Sequence, residues 1–394
     1  MFTNKALRAF LYFLHQIAKP YKIYFTFKLY YMKSVFLVHS LRKGGAERLL
    51  LELASNLSCT SVTVISWLDN NEFLEEKYQR VDVVSLIKEK DYKWPFSLFT
   101  SSKKLRHHLE ILSPDNVIVF SHSVFWLAYL SKYKTKYIYS IQGFSQLSIS
   151  RGYKKYLYRM IDILALRNLK SSILVPTKEL YKESKKYFGL NGKDIKTIPN
   201  GVEVGSLGSK DLEREEIVIT MLGTISEHKG QHLAVDVIKR LQEKTPNIIL
   251  NIIGEGSMKD DLIALIELNN LSNNINLLGR REDAFELMNQ SDIFLHLSLS
   301  EGMPLSVIEA MMCSLPVVAF NVSGVRDVVK NNGFLSDYGD TEDIAANIYE
   351  LIKDGELRKD MSKLSKDIAS RNFDKRKMLS TYEVYLQRLI ESNN

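Results

Sequence analysis

Short apolar runs alternate with amphipathic stretches along this chain, in two separate series. That alternation constrains the fold more than any other feature. A strand followed by a helix and another strand is a crossover unit, and repeated crossovers build a parallel sheet covered on both faces. In the first series the runs 34–40, 62–67, 81–87, 116–121, 137–142 and 172–176 read as strands, with helices over 45–57 and 101–112. The second series has strands at 217–222, 248–253, 275–278, 293–297 and 316–320, and helices at 231–243, 283–289 and 305–312. From Thr341 onward the pattern is helical. The polar, charged stretch 205–216 separates the two series. The expectation is an α/β chain of two doubly wound domains, 32–204 and 217–372, with 205–216 as linker. A length of 394 residues is comfortable for two domains.

Composition is that of a globular protein, 45% hydrophobic and 25% charged, outside the range of disordered chains. The two cysteines, Cys59 and Cys313, lie far apart. Neither a disulfide framework nor a zinc site is expected, which fits a reducing cytosol. The net charge of +7 is unevenly placed. No acidic residue precedes Glu47, while Lys5, Arg8, Lys19, Lys22, Lys28 and Lys33 do. A second basic stretch runs from Arg151 through Lys154, Lys155 and Arg159 to Arg167 and Lys170, interleaved with tyrosines and leucines. Basic residues mixed with aromatic ones suit an anionic membrane surface. Nucleic acid ranks lower, because no nucleic-acid-binding motif accompanies the charge. In residues 1–31 the apolar runs 10–14 and 21–27 fall short of the ~20 residues of a membrane span. No signal-peptide cleavage site follows them. Two readings of 1–31 stay open: an interfacial anchor, or an extension upstream of a start at Met32.

The densest chemistry lies in Ser300-Glu301-Gly302-Met303-Pro304-Leu305-Ser306-Val307-Ile308-Glu309-Ala310. The apolar run 292–297 before it reads as a buried strand. Pro304 sits where a helix begins, its missing N–H costing nothing in the first turn. Glu301 is thus placed on a strand-to-helix loop, and Glu309 about two turns into the helix. A helix N-terminus offers free N–H groups and a positive dipole end, which suits a phosphate or a sugar oxygen.

This pattern resembles the E-x7-E signature of retaining glycosyltransferases of family 4, which have the GT-B fold. The likeness continues through 310–319 and Gly324-Val325-Arg326-Asp327-Val328-Val329, and covers nearly all of the chain after Met32. It implies two Rossmann-like doubly wound domains facing a central cleft, with a last helix, 373–394, crossing back to the first domain. It also gives roles to loops at strand ends, where open α/β sheets bind ligands. Gly44-Gly45-Ala46-Glu47-Arg48 matches a glycine loop facing the donor's phosphates or sugar. Gly223-Thr224-Ile225-Ser226-Glu227-His228-Lys229-Gly230 resembles a phosphate-binding G-R-x-x-x-x-K-G segment. Lys229 matches its lysine; Thr224 stands where arginine is usual and brings a hydroxyl without charge. His228 and Arg280 are candidate replacements. Gly254-Glu255-Gly256 would line the nucleotide side, although it lacks the third glycine of a dinucleotide fingerprint. Gly279-Arg280-Arg281 would lie near the base. His122 matches a family histidine facing donor sugar or acceptor. A second histidine is replaced by Gln142 in Ile141-Gln142-Gly143-Phe144, and His39 is a weaker candidate.

The resemblance therefore implies transfer of a hexosyl residue from a nucleotide-diphosphate sugar to an acceptor hydroxyl, with retention. Glu301, His122 and Lys229 would be catalytic. Gly44, Gly45, Gly223, Thr224, Lys229, Gly254, Gly256, Arg280, Gly302, Met303, Pro304, Leu305 and Glu309 would bind the donor. No D-x-D triplet occurs, so no metal is expected and no cofactor beyond the donor itself. The acceptor is expected to be a lipid-linked glycan at the cytoplasmic membrane face, in bacterial surface polysaccharide assembly. A nucleotide-sugar epimerase and a non-catalytic partner subunit are the alternatives. No Ser–His–Asp arrangement or Walker loop supports a hydrolase or an NTPase.

Overall fold

The structure, a computed structural model, describes residues 32–42, 44–72, 78, 81–143, 153–190, 194–203 and 216–391. The extension 1–31, nearly all of the 205–216 stretch, and Phe144 with Arg151 lie outside them. The first sheet contains β1 (Met32–Val38), β2 (Thr60–Leu68), β3 (Asp82–Ile87), β4 (Asn116–Val119), β5 (Lys136–Ser140), β6 (Ser172–Val175) and β7 (Ile195–Thr197). Its helices are α1 (Gly45–Asn56), α2 (Phe96–Leu112), α3 (His122–Ser131), α4 (Tyr153–Asn168) and α5 (Lys178–Phe188). All pairings are parallel, in the order β3-β2-β1-β4-β5-β6-β7.

The second sheet repeats the plan. It contains β8 (Ile217–Leu222), β9 (Ile248–Ile253), β10 (Ile275–Gly279), β11 (Ile293–His296), β12 (Val317–Phe320) and β13 (Gly333–Ser336), parallel in the order β10-β9-β8-β11-β12-β13. Between them run α6 (Gln231–Gln242), α7 (Lys259–Leu268), α8 (Ala284–Asn289), α9 (Leu305–Met312) and α10 (Val325–Val328). Three helices close the chain: α11 (Thr341–Lys353), α12 (Gly355–Asn372) and α13 (Lys375–Glu391).

Both sheets reverse direction once, between β1 and β4 and between β8 and β11. Right-handed crossovers then put helices on opposite faces. In the first sheet, α1 covers one face while α2, α3, α4 and α5 pack in a separate core on the other. The α1 face is completed from the far end of the chain. Met378, Tyr382 and Leu386, spaced i, i+4, i+8 along α13, are buried there beside Leu50 and Phe36. A short parallel bridge between Val202 and Asp374 leads α13 back: Val202 N donates to Phe373 O (2.8 Å), and Lys375 N to Val202 O (3.2 Å).

The sequence reading did not place β7, β13, α4, α5, α7 or α10, and two further differences bear on the first lobe. The helix expected from 101 starts at Phe96, directly after Pro95. His122, expected at a strand end, is the first residue of α3, because β4 stops at Val119. Val124 to Ala128 are all buried, so α3 has no polar stripe from which a helical period can be read.

Removing the Tyr382 side chain tests the return of α13. Tyr382→Ala is expected to cost about 3–5 kcal/mol, the range for emptying a buried aromatic site, measured by urea unfolding.

Candidate active site between the two sheets

Ligands of open α/β sheets bind outside the carboxyl ends of the strands where the order reverses. Here the carboxyl ends of the two sheets face each other. The loop after β11 meets loops from the first sheet at several points. Thr177 Oγ1 donates to Gly302 O (3.3 Å), and Asn200 N approaches Met303 Sδ (3.3 Å). Glu179 N donates to Asp327 Oδ2 (3.0 Å). Gly302 is what permits the closest contact: a Cβ there would lie 1.7 Å from Gln142 O. A Cβ on Gly45 would sit 3.6 Å from Leu305 Cδ1, which places the glycine loop over the start of α9.

At the second reversal, Lys229 follows β8 and Glu301 follows β11. Lys229 Nζ donates to Glu301 Oε1 at 2.6 Å. His296, the last residue of β11, is buried, and its Nε2 lies 3.3 Å from the same oxygen. Burial of Glu301 opposes its charge, but His296 and Lys229 outweigh it and hold the carboxyl well below the ordinary range. The loops carrying the pair are tied together. Leu299 N donates to His228 O (2.8 Å), and His228 Nε2 lies 2.9 Å from Ser300 O. His228 thus braces the Glu301 loop.

Glu309 lies about one turn into α9, not the two expected, because the helix begins only at Leu305 after Pro304; it is buried, so its side chain leans back toward the helix start. It pairs with Arg48 Nη1 of α1, and the Arg48 guanidinium lies 5.9 Å from the Phe285 ring centre. Beside this pair a cavity of about 670 Å³ opens between the sheets, lined by Arg48, Glu52, Gly201, Phe285, Leu305 and Glu309.

The remaining donor-side residues divide into two groups. Gly223, Gly254 and Gly256 pack loop against loop. A Cβ on Gly254, where φ is +152°, would lie 2.0 Å from Gly223 O, and one on Gly256 the same distance from Ile225 O. Met303 and Pro304 are buried in the seam. Thr224 and Arg280 are exposed. Arg280 follows β10, the edge strand, two strands away from the reversal.

On the facing side, His122 Nε2 lies 2.6 Å from Asp162 Oδ1. His39, at the end of β1, has Nδ1 2.9 Å from Ser123 Oγ. Burial, then the charge of Arg42, holds His39 below its ordinary value, with Glu89 acting in the opposite sense. Gln142 is held in the seam: its Nε2 donates to Ser140 Oγ (2.8 Å), and its Oε1 accepts from Asn200 Nδ2 (3.1 Å).

The sequence reading gave no role to His296, Arg48 or Asp162. His296 sits inside an apolar strand run, Arg48 closes a glycine motif, and Asp162 is a lone acid in an amphipathic helix. No spacing marks any of them.

Comparison with known proteins agrees with this geometry. Residues 43–205 match the sequence profile of Glycosyltransferase Family 4, and residues 208–367 that of Glycosyl transferases group 1. The chain is 30% identical over 259 residues to an uncharacterized glycosyltransferase, MJ1059, of Methanocaldococcus jannaschii, covering 60% of this chain and 63% of that protein. It is 30% identical over 222 residues to the UDP-Gal:alpha-D-GlcNAc-diphosphoundecaprenol alpha-1,3-galactosyltransferase of Escherichia coli, covering 52% and 57%. The matches thus span 63% and 57% of the length of these curated relatives. The fold is similar to that of Anabaena Alr3699/HepE in complex with UDP and glucose, with TM-score 0.76, 21% identity, and coverage of 92% of this chain and 100% of that one. The chain belongs to the group 1 glycosyltransferases of the GT-B fold.

The Glu301 pair gives a pH-dependent test. A depressed carboxylate contributes stability above its unfolded value, ~4.3, and loses it as pH falls through the folded value. Lys229→Met is expected to destabilise by about 1–3 kcal/mol at pH 7. The loss should be smaller at pH 3.5, where Glu301 without Lys229 takes up a proton and no longer leaves an unpaired charge, as denaturant unfolding at the two pH values would show.

Proposed function

We propose that the chain transfers a hexosyl residue from a nucleotide-diphosphate sugar to an acceptor hydroxyl, with retention at the anomeric carbon. One observation carries the reading. Lys229, an ionised Glu301 and the first turn of α9 converge at one strand reversal, opposite Gly45 and the lobe bearing His122. The hard step is departure of a nucleoside diphosphate, whose charge must be met as the bond from C1 to the phosphate oxygen breaks. Lys229 supplies a cation, and the amides opening α9 supply the positive end of a helix dipole. Glu301 gives one oxygen to Lys229 and offers the other to sugar hydroxyls. Its charge also opposes the positive charge developing on the ring. Glu309 would exchange Arg48 for ribose hydroxyls, since a carboxylate accepts two hydrogen bonds at once.

In a same-face transfer the acceptor oxygen bonds to C1 as the diphosphate leaves. The acceptor's proton passes to the departing phosphate oxygen, and no protein nucleophile is assigned. Neither a metal nor a cofactor is assigned, and activity is expected to survive chelation by EDTA. His122 would contact a hydroxyl of donor sugar or acceptor.

The acceptor proposed is a lipid-linked glycan at the cytoplasmic face of a bacterial membrane, in surface polysaccharide assembly. The name of the Escherichia coli relative gives that protein a diphosphoundecaprenol acceptor. The surface of the first lobe supports the same class. Tyr156, Met160 and Leu164 form an exposed i, i+4, i+8 stripe on α4. Phe96 and Phe99 are exposed at the start of α2, and Lys103, Arg167 and Lys170 add exposed charge. The rings of Trp94, Trp126 and Tyr158 join the two helices, at centroid distances of 5.9 and 5.1 Å. Apolar side chains with interspersed cations suit an anionic bilayer surface. Among the described residues no helix is long and apolar enough to cross a membrane.

Binding, kinetic and vesicle measurements test the reading. UDP-sugars screened by thermal shift should stabilise the wild type, with a clear loss in Glu309→Ala, and the turnover product should keep the donor's anomeric configuration by proton NMR. Glu301→Gln is expected to lower kcat on the order of 100-fold. Donor binding without turnover on any polyprenyl diphosphate glycan would favour a non-catalytic subunit. In vesicle sedimentation, Met160→Ser with Leu164→Ser should weaken binding to anionic lipid; unchanged binding would remove α4 from the membrane face.

A further inference from the structure

His122 is held by a group outside the cleft machinery. Asp162, on α4, is fully buried. Its Oδ1 lies 2.6 Å from His122 Nε2 and accepts from Trp126 Nε1 (2.7 Å); its Oδ2 accepts from Tyr187 Oη (2.7 Å). The cluster thus joins α3, α4 and α5. Burial, followed by the hydrogen bond to Asp162 and its charge, pushes the Tyr187 hydroxyl far above its ordinary value. A buried carboxylate needs hydrogen-bond partners, and Trp126 and Tyr187 already give one to each oxygen. His122 is thus a third donor to a carboxylate that can accept about four hydrogen bonds.

That third contact has a chemical consequence. An ionised carboxylate only accepts, and an indole N–H only donates. His122 Nε2 must then carry a hydrogen, and in the neutral ring Nδ1 must be the acceptor. The Trp126 ring, four residues along α3, packs against the imidazole edge-to-face at 4.9 Å and limits its rotation. We infer that Asp162 is a positioning residue that fixes the tautomer and orientation of His122, so that Nδ1 accepts a hydrogen bond from a substrate hydroxyl. This rests on the proposed role of His122 in the cleft and adds the residue that sets how His122 acts. A structural role alone would need a carboxylate that ties three helices together, with no consequence for the ring's proton.

The test is long-range proton–nitrogen NMR of protein labelled at histidine, with the His122 signals assigned by their loss in His122→Gln. The wild type is expected to show an Nε2-protonated ring. Asp162→Leu removes the acceptor, so His122 should become a tautomer mixture, whereas Asp162→Asn, its carbonyl held by the Trp126 N–H and its amide by Tyr187 Oη, should keep the Nε2-protonated ring. The kcat of Asp162→Leu should fall on the order of 10- to 100-fold, by analogy with the outer-shell partners of metal-bound histidines, with a smaller change in KM for the donor. Trp126→Phe deletes a donor to the same oxygen and should keep the Nε2-protonated signature. An Nδ1-protonated wild-type ring overturns the inference, and this arm does not depend on any variant folding. So does an Asp162→Leu protein with an unchanged ring signature, or with a kcat loss that only follows the folded fraction. Wild-type kcat in His122→Gln instead sinks the cleft role of His122, whatever its tautomer.

Discussion

A buried carboxylate that stays charged organises the centre of this protein. Glu301 is nearly closed off from solvent, and an isolated ionised carboxylate in such a place is strongly disfavoured. Lys229 and His296 offset that cost from two directions, the loop after β8 and the end of β11. The loops must then lie side by side, and the bonds from His228 to Leu299 and Ser300 keep them there. The crevice where the strand order reverses is thereby held open in one shape, with cation, anion and helix start pointing into it. On the proposed reading, this is where the leaving diphosphate would be met.

The facing lobe is positioned by close backbone approach and by charge. Gly302 lets the loop after β11 touch the backbone of Gln142, and Thr177 and Glu179 add hydrogen bonds along the same seam. Arg48 reaches across to the buried Glu309, so two charged groups that would be costly alone satisfy each other. The last helix, α13, fills one face of the first sheet although it follows the second in sequence. The two lobes are thus joined at the cleft and again at the far end of the chain.

Much of the fold is legible in the residues. Strands such as 217–222 and 248–253 are uninterrupted apolar runs because both faces of a parallel sheet are covered, and the structure keeps those bounds. The helix from Leu305 is marked by Pro304 and matches in full. Helix α3 was missed because burial on all sides removes the periodic signal. The candidate site divides in the same way. Glu301, Lys229 and Gly302 stand in recognisable motifs. His296 and Asp162 belong to no motif, and become visible only as partners of Glu301 and His122.

The sequence by itself determined the class of fold, two parallel doubly wound sheets, and the loops where chemistry would gather. Local periodicity, Pro and Gly placement and motif spacing carry that information along the chain. Only the tertiary structure decided which charges meet: Lys229 with Glu301, Arg48 with Glu309, His122 with Asp162. The members of each pair lie on different elements, 72, 261 and 40 positions apart. Their pairing follows from how strands order themselves in a sheet and how the lobes face each other, and no local pattern along the chain records either.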